Sequence, residues 1–338
     1  MSLSQVVNVS ISAVYTSVPS VKMDNLSDVH IESQQGEKIL ANTGIRYRHI
    51  AINETAADLC CDAAQKLISE NNIEKDNIEF LVFVSQTPDY ILPASATVLQ
   101  NRLGLKSTVA AFDVNMGCSG YVYGLSIISS LLSNSLNKDA KALLLVGDTI
   151  SKLCSSNDSA TYPLFGDAGS ATLLVKSNVG EKMTFDLNTD GSGSEAIKVE
   201  EGGFKSNNVN AEKRLYLNGM DVFSFGITKV PKAIIAFMLS QEAKVEDFDY
   251  FILHQANRFM NEKIRKKIKA TEEQVPYCLF DYANTSCASI PLTLTTEIKS
   301  INTPTQLFLC GFGVGLSWAS AIIQLSAGCK VNNSIYNG

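Results

Sequence analysis

The chain contains 338 residues, of which 45% are hydrophobic and 18% are charged, as in ordinary folded proteins with a large interior. This length allows two domains, or two halves that share one core. The formal net charge of −6 argues against a nucleic-acid-binding surface. The N-terminal residues lack the basic segment of a signal peptide, and no uninterrupted apolar stretch approaches the ~18–20 residues of a membrane span.

Eight cysteines are spread along the chain without a Cys-x-x-Cys pair. Because the chain has only three histidines, we expect no zinc site and no other bound metal. Several thiols lie in apolar runs, such as residues 307–310, which is typical of reduced cysteines in a protein core. This cysteine usage predicts a cytoplasmic protein.

Apolar patterns predict alternating strands and helices in the first half of the chain. A strand is predicted where apolar residues alternate or run continuously, and a helix where they recur on one face. In chain order these elements are a strand at 6–14, a helix at 54–71, a strand at 80–85, a helix ending at 103, a strand at 109–112, a helix at 125–132, a strand at 142–148, and a glycine turn that leads into a further strand within 165–175.

The second half repeats this order. Its predicted elements are a strand at 250–254, a basic helix at 258–269, a helix at 286–298, a strand at 306–311, and a glycine turn that leads into a last strand within 312–323. Ser85 and Cys118 are 33 positions apart in the first half, and His254 and Cys287 are 33 positions apart in the second. This recurrence predicts an α/β fold built by internal duplication.

Two such halves are expected to pack with their equivalent helices at the centre. We predict a division into residues 1–177 and residues 178–338. Equivalent points of the two halves would then converge, which would bring Cys118 of the first half near His254 and Asn284 of the second.

Cys118 is the candidate nucleophile. It lies between flanking glycines, Gly117 and Gly120, where a predicted strand turns into a predicted helix. The unpaired N–H groups and the dipole at a helix N-terminus favour a thiolate. A lone cysteine is more often a buried core residue, so this assignment needs support from the rest of the chain.

His254 and Asn284 are candidate partners of the cysteine. The histidine ends a buried strand, where a structural role is the alternative, and the asparagine precedes a helix, where an N-cap is the alternative. The glycine-rich segment 311–315 taken alone fits any tight turn.

Taken together, five motifs resemble β-ketoacyl-acyl carrier protein synthase III, and the resemblance extends over residues 6–325. The motifs are Thr-Gly-Ile-Arg-x-Arg-His-Ile at 43–50, Asp-Val-Asn-x-x-Cys-x-Gly at 113–120, His-Gln-Ala-Asn at 254–257, Asn-Thr-Ser at 284–286, and Gly-Phe-Gly-x-Gly-x-Ser-Trp at 311–318. The resemblance implies the thiolase fold, a duplicated five-layer αβαβα architecture, in a homodimer.

The resemblance also implies a decarboxylative Claisen condensation that uses CoA or phosphopantetheine thioesters as substrates, with no bound cofactor. Cys118 would carry the acyl group, and the backbone N–H groups of Cys118, Val314 and Gly315 would hold the oxyanion. After a malonyl thioester loses carbon dioxide, His254 and Asn284 would donate hydrogen bonds to the enolate oxygen. Matching positions give the pantetheine tunnel as Leu164, Met220, Phe223, Ala256, Asn257 and Phe312.

Three positions depart from the pattern of relatives that start fatty-acid synthesis from acetyl-CoA. Lys38, Asn42 and Ser159 replace a tryptophan and two arginines that hold CoA in those relatives. We therefore expect an acyl carrier protein, rather than CoA, to deliver the donor. Leu92 replaces a phenylalanine that reaches into the partner subunit's acyl pocket, which predicts room for a longer or branched acyl group.

The basic helix after the histidine motif is a candidate docking site for acidic acyl carrier proteins. A solvated surface without a partner is the alternative, since basic helix faces are common. The predicted docking residues are Arg258, Lys263, Arg265, Lys266 and Lys267.

Two alternative functions stay open from the sequence. One is acyl transfer to an alcohol or amine without decarboxylation, which Asn284 argues against because that reaction has least need of an enolate-stabilising amide. The other is a non-catalytic partner subunit, although such subunits usually lose the nucleophile. Cys287 matches Cys118 in position, but we interpret it as a core thiol.

Overall fold

The computed structural model describes residues 2–177, 181–205 and 212–338. The strands in chain order are β1 Ser2–Val7, β2 Val9–Val18, β3 Lys22–Asp24, β4 Tyr47–His49, β5 Ile78–Val84, β6 Ala110–Val114, β7 Lys141–Asp148, β8 Ala168–Lys176, β9 Lys182–Thr189, β10 Ile197–Val199, β11 Leu215–Leu217, β12 Tyr250–Leu253, β13 Thr305–Gly313, β14 Ser317–Leu325 and β15 Lys330–Ile335. The α-helices are α1 Ser33–Thr43, α2 Ala56–Glu70, α3 Ser95–Arg102, α4 Gly120–Ser133, α5 Gly219–Ser240, α6 Arg258–Ile268, α7 Leu279–Tyr282 and α8 Ser289–Glu297.

Two large sheets form the framework. One has the strand order β15-β2-β8-β7-β5-β6, and the other has the order β1-β9-β14-β13-β12. In both sheets a parallel pair, β5 with β7 and β12 with β13, continues into antiparallel strands. The repeated order β2-β8-β7-β5 and β9-β14-β13-β12 confirms the predicted duplication.

Helices cover both outer faces of the sheets and fill the space between them. Helices α2 and α3 pack on the six-stranded sheet, and α5 and α6 pack on the five-stranded sheet. Helices α4 and α8 are buried between the sheets in a shared apolar core, with side chains such as Leu125, Ile128 and Ile290 fully buried. This arrangement confirms the five-layer αβαβα thiolase fold.

Several boundaries differ from those predicted. The strand predicted at 6–14 is two strands, because Asn8 adopts a left-handed conformation (φ 62°), which asparagine tolerates, and the chain changes direction there. The strand predicted as the last one, β14, is followed by β15. Helix α2 begins as its sequence favours, since Thr55 and Asp58 form a reciprocal capping box.

Helix α5 has 22 residues and a mean hydropathy of 1.6, which is enough by length and composition to cross a membrane. The apolar sequence of α5 is interrupted by Asp221, Lys229 and Lys232, so it is not the uninterrupted stretch that the sequence was expected to lack. Its Phe225, Val230, Ile234 and Phe237 are buried in the core on the five-stranded sheet, as expected for the core helix of a globular fold.

The first and last strands each pair with the sheet of the opposite half. Strand β1 pairs with β9, and β15 pairs with β2. The predicted division between residues 177 and 178 falls at residues 178–180, outside the described residues. It stays a prediction.

Candidate active site

The start of α4 and strand β13 of the other half are in close contact at Cys118. The cysteine directly precedes Ser119, the N-cap of α4, as its sequence predicts. A Cβ atom on Gly313 would lie 2.7 Å from the Cys118 sulfur, and one on Gly311 would lie 2.6 Å from the Cys118 carbonyl oxygen. Only glycine leaves room for this approach, so the second half closes directly over the cysteine.

A cavity of about 280 Å³ opens at this contact, and the three predicted catalytic side chains all line it. Their segments are far apart in sequence, since the cysteine precedes α4, the histidine follows β12, and the asparagine follows α7. The other predicted site residues that line the cavity are Leu164, Phe223, Ala256, Asn257, Phe312 and Val314.

The Cys118 thiol has a raised pKa. Burial is the largest cause, the carboxylate of Asp148 adds to it, and together they raise the pKa to about 11. The backbone N–H groups of Val314 and Cys118 and the side chain of Ser286 lower the pKa of the thiol but do not outweigh burial. The thiolate expected from the helix N-terminus is therefore not the resting form at neutral pH, because the effect of burial on the pKa exceeds that of these hydrogen bonds.

His254 is almost fully buried, and burial lowers its pKa to about 3, with a smaller opposing contribution from the Ser286 backbone. The ring is therefore neutral at pH 7. Its Nδ1 atom lies 2.7 Å from the Ser289 hydroxyl oxygen, and Phe312 packs against the ring edge to face. With Nδ1 engaged, Nε2 is the ring nitrogen left for a substrate.

Asn284 caps no helix here, since the following 3₁₀ turn has Thr285 at its N-cap and α8 has Ala288. Its side-chain oxygen accepts a hydrogen bond of 2.9 Å from the Ser286 N–H. The backbone pairs with Phe165 in an isolated β-bridge, which fixes its position. Asn284 lines the cavity, and the donors of its side chain are the two amide N–H groups.

The loop after β13 is tied to the start of α4. The hydroxyl groups of Ser119 and Ser317 lie 2.7 Å apart, and Ser317 donates to the Val314 carbonyl oxygen at 2.8 Å. These bonds hold the Val314 N–H beside the cysteine. Gly315, predicted with Val314 to hold the oxyanion, is not among the residues that line the cavity.

The residues that line the cavity do not include three further predicted residues, Met220, Leu92 and Arg265. Met220 is 82% exposed and lies outside the cavity, whose wall at the start of α5 is formed by Gly219 and Val222 instead. Leu92 is 78% exposed within this single chain. Arg265 in α6 is buried and paired with Glu262 at 2.7 Å and Glu272 at 3.1 Å, so its guanidinium is not a free docking charge.

The other predicted surface positions are solvent-exposed. On α6 these are Arg258, Lys263, Lys266 and Lys267, and the positions that depart from acetyl-CoA-dependent relatives are Lys38, Asn42 and Ser159.

Two residues that were not predicted from the sequence, Gln86 and Ser286, also line the cavity. The Gln86 N–H donates to the buried Asp148 carboxylate at 2.8 Å, which fixes the loop after β5. The sequence feature that could have indicated Gln86 as a site residue is its position directly after a buried strand. Ser286 belonged to the Asn-Thr-Ser motif, but only the structure shows that it acts on both Cys118 and His254.

Comparisons with known protein families agree with this geometry. The sequence model of the family described as 3-oxoacyl-[acyl-carrier-protein (ACP)] synthase III matches residues 112–191, which include the cysteine. The model for the C-terminal part of 3-oxoacyl-[acyl-carrier-protein (ACP)] synthase III matches residues 239–325, which include the histidine and the asparagine.

Individual relatives match most of the chain. A β-ketoacyl-[acyl-carrier-protein] synthase III of Streptococcus agalactiae is 35% identical over 293 residues, covering 85% of this chain and 90% of the relative. One from Streptococcus pneumoniae is 32% identical over 322 residues, covering 93% and 98%. The crystal structure of a 3-oxoacyl-(acyl-carrier protein) synthase from Burkholderia xenovorans superimposes with a TM-score of 0.94 at 36% identity, covering 99% of both chains.

Replacement of Ser286 by alanine tests the environment of the thiol. The Ser286 side chain lowers the pKa of Cys118, so Ser286→Ala should reduce the thiolate fraction and slow alkylation of Cys118 by iodoacetamide by about 2- to 5-fold at pH 9. Mass spectrometry of the Cys118 peptide gives the rate. Ser129→Ala, which removes a buried hydroxyl of α4 bonded to the Ser126 carbonyl, is the matched control and should leave the rate unchanged. Equal rates in Ser286→Ala and the wild type would contradict this account of the thiol.

Proposed function

Because the chain belongs to the 3-oxoacyl-[acyl-carrier-protein] synthase III family, it is a condensing enzyme that catalyses a Claisen condensation, and we propose that Cys118, His254 and Asn284 carry out this reaction. The observation that supports these three residues is their convergence, from three distant segments, on one cavity. They supply a nucleophilic sulfur and two hydrogen-bond donors, which is what acyl transfer followed by condensation needs.

In the first step, the Cys118 sulfur attacks the carbonyl carbon of an acyl thioester. The new S–C bond forms as the old one breaks, and the thiol proton leaves with the departing thiol. The N–H groups of Cys118 and Val314, which already act on the sulfur, are placed to bind the oxyanion of the tetrahedral intermediate. Because the free thiol has a high pKa, Cys118 must lose its proton during this step and does not start as a thiolate.

In the second step, a malonyl thioester loses carbon dioxide and becomes an enolate. The Nε2–H of His254 and the amide N–H of Asn284 donate hydrogen bonds to the enolate oxygen. A neutral imidazole suits this role, and burial keeps His254 neutral at pH 7. The enolate carbon then attacks the acyl-cysteine, so that a C–C bond forms, the S–C bond breaks, and the sulfur takes up a proton.

The enzyme uses acyl thioester substrates and works with an acyl carrier protein. We propose that a carrier protein also delivers the acyl donor, because exposed Lys38, Asn42 and Ser159 stand where acetyl-CoA-dependent relatives have their CoA-binding side chains. We further propose a cytoplasmic homodimer whose partner subunit covers the exposed Leu92.

Acylation of Cys118 by a panel of donors tests the catalytic and donor assignments together. We expect acyl-carrier donors to load the cysteine faster than the matched acyl-CoA donors, as measured by intact-protein mass spectrometry. Cys118→Ala should abolish loading. His254→Ala and Asn284→Ala should load normally but lose carbon dioxide release from the malonyl thioester by about 100-fold or more. Equal or faster loading from acetyl-CoA would refute the carrier-donor proposal while leaving the catalytic residues in place.

The acyl range tests the Leu92 assignment. Leu92→Phe should narrow the range to short acyl groups, because the larger ring would fill space in the partner subunit's pocket. Condensation rates with straight-chain donors of increasing length, and with branched donors, give the profile. Leu136→Phe, at a fully exposed position after α4, is the matched control. An unchanged chain-length profile in Leu92→Phe would contradict the assignment of Leu92 to the partner subunit's acyl pocket.

Charge reversal on α6 tests carrier docking. Lys263→Glu combined with Lys266→Glu should raise the KM for the acyl carrier protein by roughly 3- to 10-fold and weaken its dependence on salt, because both lysines are exposed. The kcat should be unchanged. Lys138→Glu, at an exposed lysine outside α6, is the control with half the charge change. If the control raises KM as much as the double variant, the effect is one of net charge and not of docking on α6.

A further inference from the structure

Ser289, the first residue of α8, is fully buried and contacts the histidine of the site. Its hydroxyl oxygen lies 2.7 Å from Nδ1 of His254. The backbone N–H of Gln255 donates to the same hydroxyl oxygen at 3.4 Å. The hydroxyl is therefore held between the histidine ring and the backbone of the next residue.

This arrangement favours one direction for the hydrogen bond between Ser289 and His254. The Ser289 oxygen already accepts from Gln255, and its own hydrogen needs an acceptor because the group is buried. Among the described residues, the hydroxyl has one side-chain partner, Nδ1 of His254, and this nitrogen accepts the hydrogen in one of the two neutral tautomers. A neutral imidazole that accepts at Nδ1 carries its single hydrogen on Nε2.

We propose that Ser289 is a positioning residue that keeps His254 in the Nε2–H tautomer, with that hydrogen directed into the cavity. The tautomer is inferred from these contacts, and its use as a donor to the enolate rests on the proposed function. Without the serine hydroxyl, the ring has no fixed donor at Nδ1, and a hydrogen at Nδ1 would leave Nε2 as an acceptor that repels an enolate oxygen.

His49 provides a contrast within the same chain. Its Nδ1 lies 2.6 Å from the Pro19 carbonyl oxygen, which can only accept, so Nδ1 must carry the hydrogen. Burial lowers the pKa of His49, which favours the neutral ring. The buried His49 and His254 are thus expected in opposite tautomers, while His30, the remaining histidine, is exposed.

Nitrogen-15 NMR of the histidine-labelled protein tests the proposal directly. Long-range ¹H–¹⁵N correlation spectra at pH 8 should show protonated Nε2 and unprotonated Nδ1 for His254, and the reverse for His49. His254→Gln and His49→Gln assign the two spin systems by loss of signals. The wild-type spectrum is sufficient to determine the His254 tautomer. A protonated Nδ1 in His254, donating to Ser289 or to the Ser286 backbone, overturns the proposal.

Ser289→Ala separates a positioning role from a structural one. The His254 signals should move toward a mixture of tautomers, and the kcat for condensation should fall by about 10-fold or more, while Cys118 acylation stays within about 2-fold of the wild type. Ser289→Thr, which keeps the hydroxyl, should restore the Nε2–H signals. Ser129→Ala, the buried serine control on α4, should change neither readout.

The outcomes distinguish this proposal from the proposed function. A slower Ser289→Ala enzyme whose His254 tautomer is unchanged means that Ser289 acts only on structure, and the proposal fails. A tautomer shift in Ser289→Ala with no loss of condensation supports the hydrogen-bond assignment, and it instead refutes the role of His254 as an enolate donor.

Discussion

The close contact between the start of α4 and strand β13 determines where chemistry takes place in this protein. Gly311 and Gly313 have no space for a Cβ atom because the backbone and sulfur of Cys118 occupy it. The buried carboxylate of Asp148 reinforces the contact, since it accepts from the Gln86 N–H of the first half at 2.8 Å and from the Cys287 thiol of the second at 3.1 Å. The cavity therefore exists only where both halves are assembled, which explains why its chemical groups come from both.

Burial acts in opposite directions on the two titratable groups of the site. It raises the pKa of the Cys118 thiol and lowers the pKa of His254, so the resting site holds a neutral thiol and a neutral imidazole. Sites that store a thiolate beside an imidazolium start from an activated nucleophile. Here the donors around the sulfur and the enolate position, including Asn284, stabilise charge when it develops during the reaction.

Much of the fold and of the site could be predicted because local patterns agreed with tertiary structure. The duplication could be predicted because β5 and β12, which are largely buried, end at equal distances before Cys118 and Cys287. The burial of individual side chains and the contacts between different elements could not be predicted from the sequence. The helix N-terminus indicated a thiolate but gave no measure of desolvation, and helical periodicity did not show that Arg265 pairs with Glu272 beyond the end of α6 or that Met220 points to solvent.

The exchange of terminal strands between the two sheets affects how far the two halves can separate. Strand β1 forms the edge of the second sheet and β15 the edge of the first, so each half completes the other, as in a domain-swapped dimer contained in one chain. Both exchanged strands lie at the sheet edge opposite β12 and β6. Complete separation of the two halves would have to break the ladders of β1 with β9 and of β15 with β2, which are remote from the cavity. We therefore expect substrate entry to depend on side chains and loops at the cavity wall and not on separation of the two halves.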